Sequence, residues 1–462
     1  MDTMQFSESL SQFLDVANGI LWGPIMLVLL LGTGILFTLR LRFIQVTKLK
    51  TAFKRIFAKS DESQKDVGLT PFQSLTTAIA AQVGTGNLAG VATAIASGGP
   101  GAIFWMWISG FFGMGTIFAE AVLAQLFKET RDGKIVGGPA YYISKGLNNK
   151  FLAGFFSISI VFALGFMGNI VQSNSIGHAI STVAPTIPAL AVGLTLAVLA
   201  GMILLGGITR IGSFTEKVVP LMAGLYIISS LIICFLNFEM IGPAFKMIIH
   251  GAFNPRAATG GLIGATFKET FRYGIARGIF SNEAGMGSSP HAHAIAKVKH
   301  PVEQGLVSMI GVIVDTGIVC TLTALVILTT GQLGADVTGA ELTQAGFAVG
   351  FSGVSANFGA ILIAICLFFF AFSTIISWYF FGEQNIKYLF GLKGVKYYQI
   401  IALFCIAIGP LFKDVALVWS CADFFNAIMV IPNLIALIGL ANLVVKAVND
   451  FEVTIENKDI SA

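Results

Sequence analysis

Charged residues are scarce along this chain. Only 11% of its 462 residues are Asp, Glu, Lys or Arg, whereas 55% are hydrophobic and 40 are Phe. Soluble domains carry roughly 25% charged residues, so the composition excludes an ordinary soluble protein. Apolar runs of about 20 residues, the length of a helix that crosses a bilayer, recur along the sequence. The composition therefore predicts an all-α polytopic membrane protein.

Cysteine and recognisable catalytic motifs are scarce too. The five Cys lie in apolar surroundings without CxxC spacing, which indicates packing residues rather than a disulfide or metal set. His291 and His293 point to opposite sides of a helix and have no completing ligands, so no metal site is expected there. The sequence contains neither GxxxxGK[ST] nor HExxH. We expect no enzyme activity, no organic cofactor, no ATPase subunit and no nucleic-acid partner.

The hydropathy pattern predicts about 11 transmembrane helices. They lie near residues 18–39, 70–96, 100–127, 150–182, 187–207, 213–237, 262–297, 301–330, 355–382, 397–412 and 418–446. The seventh is polar and interrupted, but the charge pattern of the loops requires it.

Lys and Arg are concentrated in alternate loops. Most of the 28 lie at 40–65, 128–150, 210–217, 297–299, 387–396 and 446–458, whereas the opposite loops hold only Lys246, Arg256 and Lys413. The positive-inside rule puts the crowded loops in the cytoplasm. The prediction is a multi-pass protein of a bacterial-type cytoplasmic (inner) membrane, with residues 1–17 outside and the tail 447–462 inside.

The connector after the first span, within 18–69, is basic and amphipathic. Residues 41–58 mix Leu, Ile, Val and Phe with basic side chains. This pattern is typical of a helix lying on anionic membrane lipid. The alternative is that the positive charges only determine the topology.

A polar patch interrupts the second span at Gln82-Val83-Gly84-Thr85-Gly86-Asn87. A bilayer offers no water to backbone N–H and C=O groups, so a broken helix persists there only where protein, water or a ligand satisfies them. Transporters use such breaks to bind small solutes and Na⁺. The alternative is a helix face of small residues that allows close packing.

The seventh span carries a matching interruption at Asn282-Glu283-Ala284-Gly285-Met286-Gly287. The two breaks lie five spans apart, and paired broken helices in two halves point to an inverted-repeat transporter. Residues 70–237 and 262–446 would be the five-helix repeats, joined by an extracytoplasmic loop at 238–261. The first span would be an additional N-terminal helix.

These stretches, together with Gly137–Tyr142, resemble signatures of the alanine/glycine:cation symporter family. The resemblance runs from about residue 15 to 445 and implies a LeuT-type fold with Na⁺-coupled uptake of alanine or glycine. Some members of that family use H⁺.

The resemblance also implies a Na⁺ site between the first broken helix and the ninth span. Its matching groups are the carbonyls of Ala80, Val83 and Ala371 and the hydroxyl of Thr374. Asn87 matches a residue that, in relatives, bridges a second Na⁺ beside the substrate carboxylate.

A small zwitterionic substrate would bind at the breaks, with helix N-termini facing its carboxylate. Gly84, Thr85, Gly86 and Asn87 from the first break and Asn282 from the second are the candidate residues. Two further candidates lie in other spans: Gln172 could hydrogen-bond the ammonium or carboxylate, and Trp378 could restrict the cavity to a methyl side chain. Interhelical hydrogen bonding and ordinary packing are the alternatives for these two.

Three carboxylates, Glu120, Glu283 and Asp315, lie within membrane-length segments. An ionised carboxylate at the bilayer centre costs about 2.5–3.5 kcal/mol on insertion scales, so each is a functional candidate. We expect Glu283 to form a gating ion pair with Arg277 or Arg272, and a proton-carrying role is the alternative. Glu120 is expected to be capped by Lys or Arg. For Asp315 the sequence does not decide between a structural role and a role in transport.

The sequence therefore favours a secondary active transporter for alanine, glycine or both, coupled to Na⁺. An H⁺-coupled carrier, or one for another small neutral amino acid, is the near alternative. A channel is disfavoured because no repeated filter sequence is present.

Overall fold

The computed structural model describes residues 3–58, 60, 67–131, 133–254, 265–334, 337–355, 357–412 and 415–460. These residues are almost entirely helical. Helices α1 to α12 are Thr3–Leu21, Pro24–Arg40, Ile44–Thr47, Leu49–Ile56, Pro71–Gln82, Gly86–Gly98, Ala102–Leu126, Pro139–Gly146, Lys150–Val183, Ala189–Leu204, Gly207–Leu236 and Phe238–Gly251. Helices α13 to α19 are Phe267–Asn282, Pro290–Ala294, Pro301–Thr329, Gly339–Gly350, Phe358–Ile408, Val415–Gly439 and Ala441–Ile460. Strands β1 (Glu129–Arg131) and β2 (Lys134–Val136) pair antiparallel.

Among the described residues, six helices are long and apolar enough to cross a membrane, and eight if each of two bent pairs counts as one span. The bent pairs are α1 with α2, at 41°, and α5 with α6, at 50°. The all-helical membrane architecture predicted from the composition is therefore confirmed. Helix α17 joins the predicted ninth and tenth spans and is broken at Gly391, whose φ is 67°.

Two predicted boundaries differ from the structure. Helix α1 begins at Thr3, within the predicted N-terminal segment, and the predicted first span is divided between α1 and α2, since Pro24 occupies the first position of α2 and the chain bends just before it. The predicted loop 238–261 contains α12, which buries Ala244 and Ile248 against apolar residues of α6 and α7. Its residues 255–261 lie outside the described residues.

Both broken segments start with the same local device. Thr70 accepts a hydrogen bond from the Gln73 backbone, and Thr266 accepts one from the Glu269 backbone. In each case the side chain three residues on bonds back to the capping residue, which completes a capping box. The local sequence therefore determines where α5 and α13 begin, and the glycine-rich stretches determine where they end.

The core is built around the broken segments. Helix α17 packs along α9, α10 and α5, while α7 packs against α13 and α15. Buried side chains at these contacts are mostly apolar, with a row of large aromatics at Phe370, Tyr379, Phe380 and Phe381. The two breaks thus lie between elements that are themselves firmly packed.

Candidate functional site

The first break begins where a side chain replaces a backbone partner. The Gly84 N–H donates to Asn87 Oδ1 at 2.9 Å. In a continuous α-helix the same N–H would bond to the carbonyl of residue 80, four positions earlier. Asn87 therefore satisfies the Gly84 donor and releases the Ala80 carbonyl for another use.

Helix α17 supplies the group that meets this carbonyl. Thr374 Oγ1 lies 2.9 Å from Ala80 O and also 2.9 Å from Phe370 O. A hydroxyl has one hydrogen, so only one of these carbonyls receives it at a time. A Cβ on Gly84 would approach Thr374 Oγ1 to 2.6 Å, so glycine at this position permits the contact.

The donor set at this junction suits a hard cation. Ala80, Val83, Ala371 and Thr374 are all buried, and the first two lie at the end of α5. Unwound carbonyls and hydroxyls are the oxygen ligands that transporters offer to Na⁺. The ligand types at this junction are those predicted for the ion site, and Ala371 lies one helical turn before Thr374 on α17.

A cavity of about 490 Å³ reaches the first break. It is lined by Thr85, Gly86, Ala89, Gly90, Thr93, Asn174, Ser175, His178, Ala179, Arg277, Phe280, Thr338, Gly339, Ala340, Glu341, Gln344, Leu367, Trp419 and Asp423. The exposed side chains of His178 and Glu341 lie 3.4 Å apart at its rim. Arg277 and Asp423 bring opposite charges into the same space, so the lining can contact both ends of a zwitterion.

Only two of the predicted substrate residues, Thr85 and Gly86, line this cavity. Gln172 lies behind them and donates to Thr85 Oγ1 at 3.1 Å. Asn282 donates to Thr316 Oγ1 at 3.1 Å, and its carbonyl accepts from Gln82 at 2.9 Å. The bond from Gln82 to the Asn282 backbone carbonyl joins the two breaks, while Gln172 and the Asn282 side chain support the breaks from outside the cavity lining.

A buried carboxylate joins the two breaks. Asp315 on α15 accepts hydrogen bonds from Asn87 at 2.5 Å, Ser281 at 3.0 Å and Thr316 at 2.8 Å. Asn87 belongs to the first break, and Ser281 lies at the end of α13 beside the second. Among the described residues Asp315 has no ion pair with Lys or Arg. These three partners are neutral donors, and two of them, Asn87 and Ser281, come from the broken segments.

The Glu120 side chain binds the unwound backbone of the second break. Its two carboxylate oxygens accept from the backbone N–H groups of Gly285 at 3.1 Å and Gly287 at 2.9 Å. Asn433 donates both to Glu120 and to the Gly285 carbonyl. The expected capping by Lys or Arg is wrong, because Glu120 points at unwound backbone rather than at the basic loops. Its position six residues before the end of α7 gave no signal of this role.

The predicted gating pair between Glu283 and Arg277 is also corrected. Glu283 accepts from Ser288 at 2.5 Å and from the Trp378 indole at 2.7 Å. Arg277 lines the cavity instead, where it interacts electrostatically with Asp423. Residues six positions apart lie about 120° apart around a helix, and Glu283 has already left the helix with φ of 58°. Trp378 therefore packs behind the break rather than lining the cavity.

A family comparison gives this geometry its context. The model of the sodium:alanine symporter family matches residues 7–461. The chain belongs to that family. This chain is 44% identical to the sodium/alanine symporter AgcS of Methanococcus maripaludis, and the match covers 95% of this chain and 96% of the relative. A Bacillus subtilis protein named "probable sodium/glutamine symporter GlnT" is 40% identical, covering 96% of this chain and 91% of the relative.

A solved structure supports the fold of this sodium:alanine symporter family member. A mutant of the Eremococcus coleocola manganese transporter superposes with a TM-score of 0.55 at 16% identity, covering 81% of this chain and 80% of that one. At that identity the likeness concerns the fold alone. Membership of the symporter family makes the chain a sodium-coupled, integral membrane transporter of amino acids and not an enzyme.

Proposed function

We propose that the chain imports alanine, glycine or both together with Na⁺ by alternating access. The observation that carries the proposal is the contact between Thr374 and the released Ala80 carbonyl, next to a cavity that ends at Thr85 and Gly86. An ion site and a solute site that share one broken helix can influence each other through that helix. Na⁺ then shifts the protein toward the state in which the substrate binds best.

In this proposal Na⁺ is bound by the Ala80, Val83 and Ala371 carbonyls and the Thr374 hydroxyl. The ion would accept oxygen lone pairs, and the Thr374 hydrogen would remain bonded to Phe370. The substrate carboxylate would face the backbone N–H groups at the start of α6, where the helix dipole favours negative charge. Asn87 and Asn282 would keep the two breaks in register, and Gln172 would orient Thr85.

The membrane orientation belongs to the same proposal. The cavity rim is formed by His178 near the end of α9 and Glu341 at the start of α16, beside connecting segments poor in Lys and Arg, whereas the basic loops lie on the other side of the predicted spans. With the basic loops in the cytoplasm of an inner membrane, the cavity opens outward. The proposal includes about 11 spans, ten of them in two inverted repeats, 70–237 and 262–446, and the helices around the two breaks would rock relative to the remaining helices.

A second candidate is coupling to H⁺ in place of Na⁺. The buried Asp315 favours it, because no Lys or Arg among the described residues pairs with this carboxylate and a proton could neutralise it. If a proton were the coupling ion, uptake would follow a pH gradient without Na⁺, and Asp315→Asn would abolish that dependence.

Uptake of labelled alanine into proteoliposomes tests the proposal. We expect saturable uptake with inward Na⁺, inhibited by unlabelled glycine, and little uptake when K⁺ or choline replaces Na⁺. D-Alanine, serine, leucine and glutamine serve as competitors that define the substrate range. Uptake driven only by a pH gradient would identify H⁺, and not Na⁺, as the coupling ion. Stronger inhibition by glutamine than by glycine would overturn the substrate assignment.

A further inference from the structure

A second cavity, of about 210 Å³, lies where α2 ends, between α3 and the last helix, α19. Arg40, Arg42 and Lys48 line it on one side, and Val445, Asn449 and Glu452 on the other. One water molecule occupies about 30 Å³ in the liquid, so the cavity has room for a polar headgroup and its water. Nothing in the transport cycle described above uses this cavity.

The cationic side chains of the cavity are only partly neutralised. Lys48 pairs with Glu452 at 3.0 Å, and Arg40 donates to the neutral amide oxygen of Asn442 at 2.8 Å. Arg42 is exposed and has no acidic partner within the described part of the chain. Three basic groups against one carboxylate leave an excess of positive charge, which suits an anion.

The backbone at the cavity is held in an unusual conformation. Arg42 and Phe43 are successive non-glycine residues with positive φ, 52° and 56°. L-residues rarely adopt this region, and such residues concentrate at functional sites. The turn is held by backbone bonds from Arg42 to Leu39 and from Phe43 to Thr38. Arg42 in this turn and Lys48 after α3 line the same cavity.

Apolar side chains beside the cavity are exposed. Leu39, Phe43 and Val46 are exposed by 60%, 45% and 59% of their surface. Helix α2 is an apolar helix that ends at Arg40, so this level corresponds to the border between hydrocarbon and headgroups. A free phosphate ion would contact only the basic groups. A phospholipid would contact the basic groups with its headgroup and the apolar side chains with its acyl chains.

We propose that this cavity binds the phosphate headgroup of an anionic phospholipid through Arg40, Arg42 and Lys48. Basic pockets between helices at the cytoplasmic border of a membrane bind such headgroups. The bound lipid bridges α2, α3 and α19. The site is independent of which amino acid or ion the protein carries.

Native mass spectrometry of the full-length protein in detergent tests the site, with phosphatidylglycerol and phosphatidylcholine as titrants. We expect phosphatidylglycerol to bind more tightly. The double variant Arg40→Gln/Arg42→Gln should weaken its binding roughly 25-fold, about fivefold for each basic side chain. The control Lys50→Gln/Lys54→Gln removes the same charge from α4 outside the cavity and should change binding by about twofold or less.

Three outcomes would overturn the proposal. Equal affinity for the two lipids would exclude an anion-selective site. Equal losses in the two double variants would reduce the effect to diffuse surface charge. Competition by inorganic phosphate at the concentration of the lipid would assign the cavity to a free anion.

Single variants decide the question if the double variant does not fold. Arg42→Gln should weaken phosphatidylglycerol binding about fivefold, whereas Arg42→Lys, which keeps the charge, should stay within about twofold. An equal loss in both would indicate that the arginine acts only in the turn and would overturn the proposal.

Discussion

Asn87 performs two tasks with one side chain. Its oxygen accepts from the Gly84 backbone, and its amide nitrogen donates to Asp315. The first bond stabilises the break, and the second connects the break to α15. A helix interruption that is satisfied by its own side chain frees a neighbouring carbonyl without leaving a buried donor unpaired.

At the residue scale, Thr374 should determine the affinity for Na⁺. We expect Thr374→Val to raise the Na⁺ concentration for half-maximal alanine uptake by roughly ten- to a hundredfold. Hydrogen bonds and contacts to charged groups are worth about 1.5–3 kcal/mol, which corresponds to that range. Thr374→Ser keeps the hydroxyl and should remain close to the wild type.

Ser373 provides the matched control for this experiment. Its hydroxyl bonds to Phe370 O at 3.0 Å and to Met222 Sδ at 3.3 Å, away from Ala80. Ser373→Ala should leave the Na⁺ dependence within about twofold. A Thr374→Val variant with unchanged Na⁺ dependence would remove Thr374 from the proposed ion site.

At the scale of an element, the second break depends on Glu120 and on two glycines. Gly285 and Gly287 have φ of 87° and 80°, and a Cβ on Gly287 would lie 2.8 Å from Phe156. Both backbone N–H groups need the Glu120 carboxylate because the helix no longer supplies their partners. The conformation of the second break therefore depends on hydrogen bonds from a side chain distant in sequence as well as on the two glycines.

Replacing Glu120 should destabilise the protein as well as reduce uptake. Gln offers one acceptor oxygen in place of two, so Glu120→Gln should cost about 1.5–3 kcal/mol and lower the Tm by several degrees. Gly287→Ala should also lower the Tm, through its positive φ and the contact with Phe156. Tm measurements in detergent and uptake assays check both variants.

Gly317 is the matched control, because a Cβ there would meet only Ile313 at 3.8 Å. Gly317→Ala lies in a helix and should leave the Tm unchanged or slightly higher. A Glu120→Gln variant as stable as the wild type would show that the second break does not depend on the carboxylate.

The short hairpin β1–β2 gives a pH prediction at the same scale. Partial burial would raise the pKa of Glu129, but Lys145 at 2.6 Å and Arg131 at 3.0 Å outweigh it and hold the pKa below its ordinary 4.5. A lowered pKa adds stability above the unfolded pKa, and that stability is lost as the pH falls through the folded pKa. Glu129→Gln should therefore lower the Tm slightly at pH 7 and make no difference at the acid end of a Tm–pH series. An equal difference at both pH values would contradict the charge argument.

At the scale of the whole molecule, the structure corresponds to a state whose cavity is open at the rim. Ala340→Cys, in a Cys421→Ser background, should react with a hydrophilic thiol reagent in Na⁺. Alanine added with Na⁺ should slow the reaction at least severalfold, because substrate closes the cavity. Ser355→Cys, on an exposed segment outside the cavity lining, should react equally under both conditions. Protection by alanine in the absence of Na⁺ would argue against the proposed coupling.

The predictable and unpredictable parts of this protein divide along physical lines. Hydropathy predicted an all-helical membrane protein, and glycines beside amides marked both breaks, because these signals are local in sequence. The partners of the breaks were not predictable in the same way: Glu120 is 165 residues from Gly285, and Trp378 is 95 from Glu283. Any face of a membrane helix could pack against a break, and only the tertiary packing determines which side chains contact it. The Glu283–Arg277 pair was wrong for this reason.

The substitution of Asn87 for a backbone partner has a consequence for the cell. Because the break is satisfied by its own amide, folding at this junction does not require the ion, unlike a zinc finger that is unfolded without metal. Carriers made in a sodium-poor medium would enter the membrane already folded. After a sudden rise in external sodium, uptake could begin with the folded transporters already in the membrane. The onset of uptake would then be limited by conformational change and not by protein synthesis.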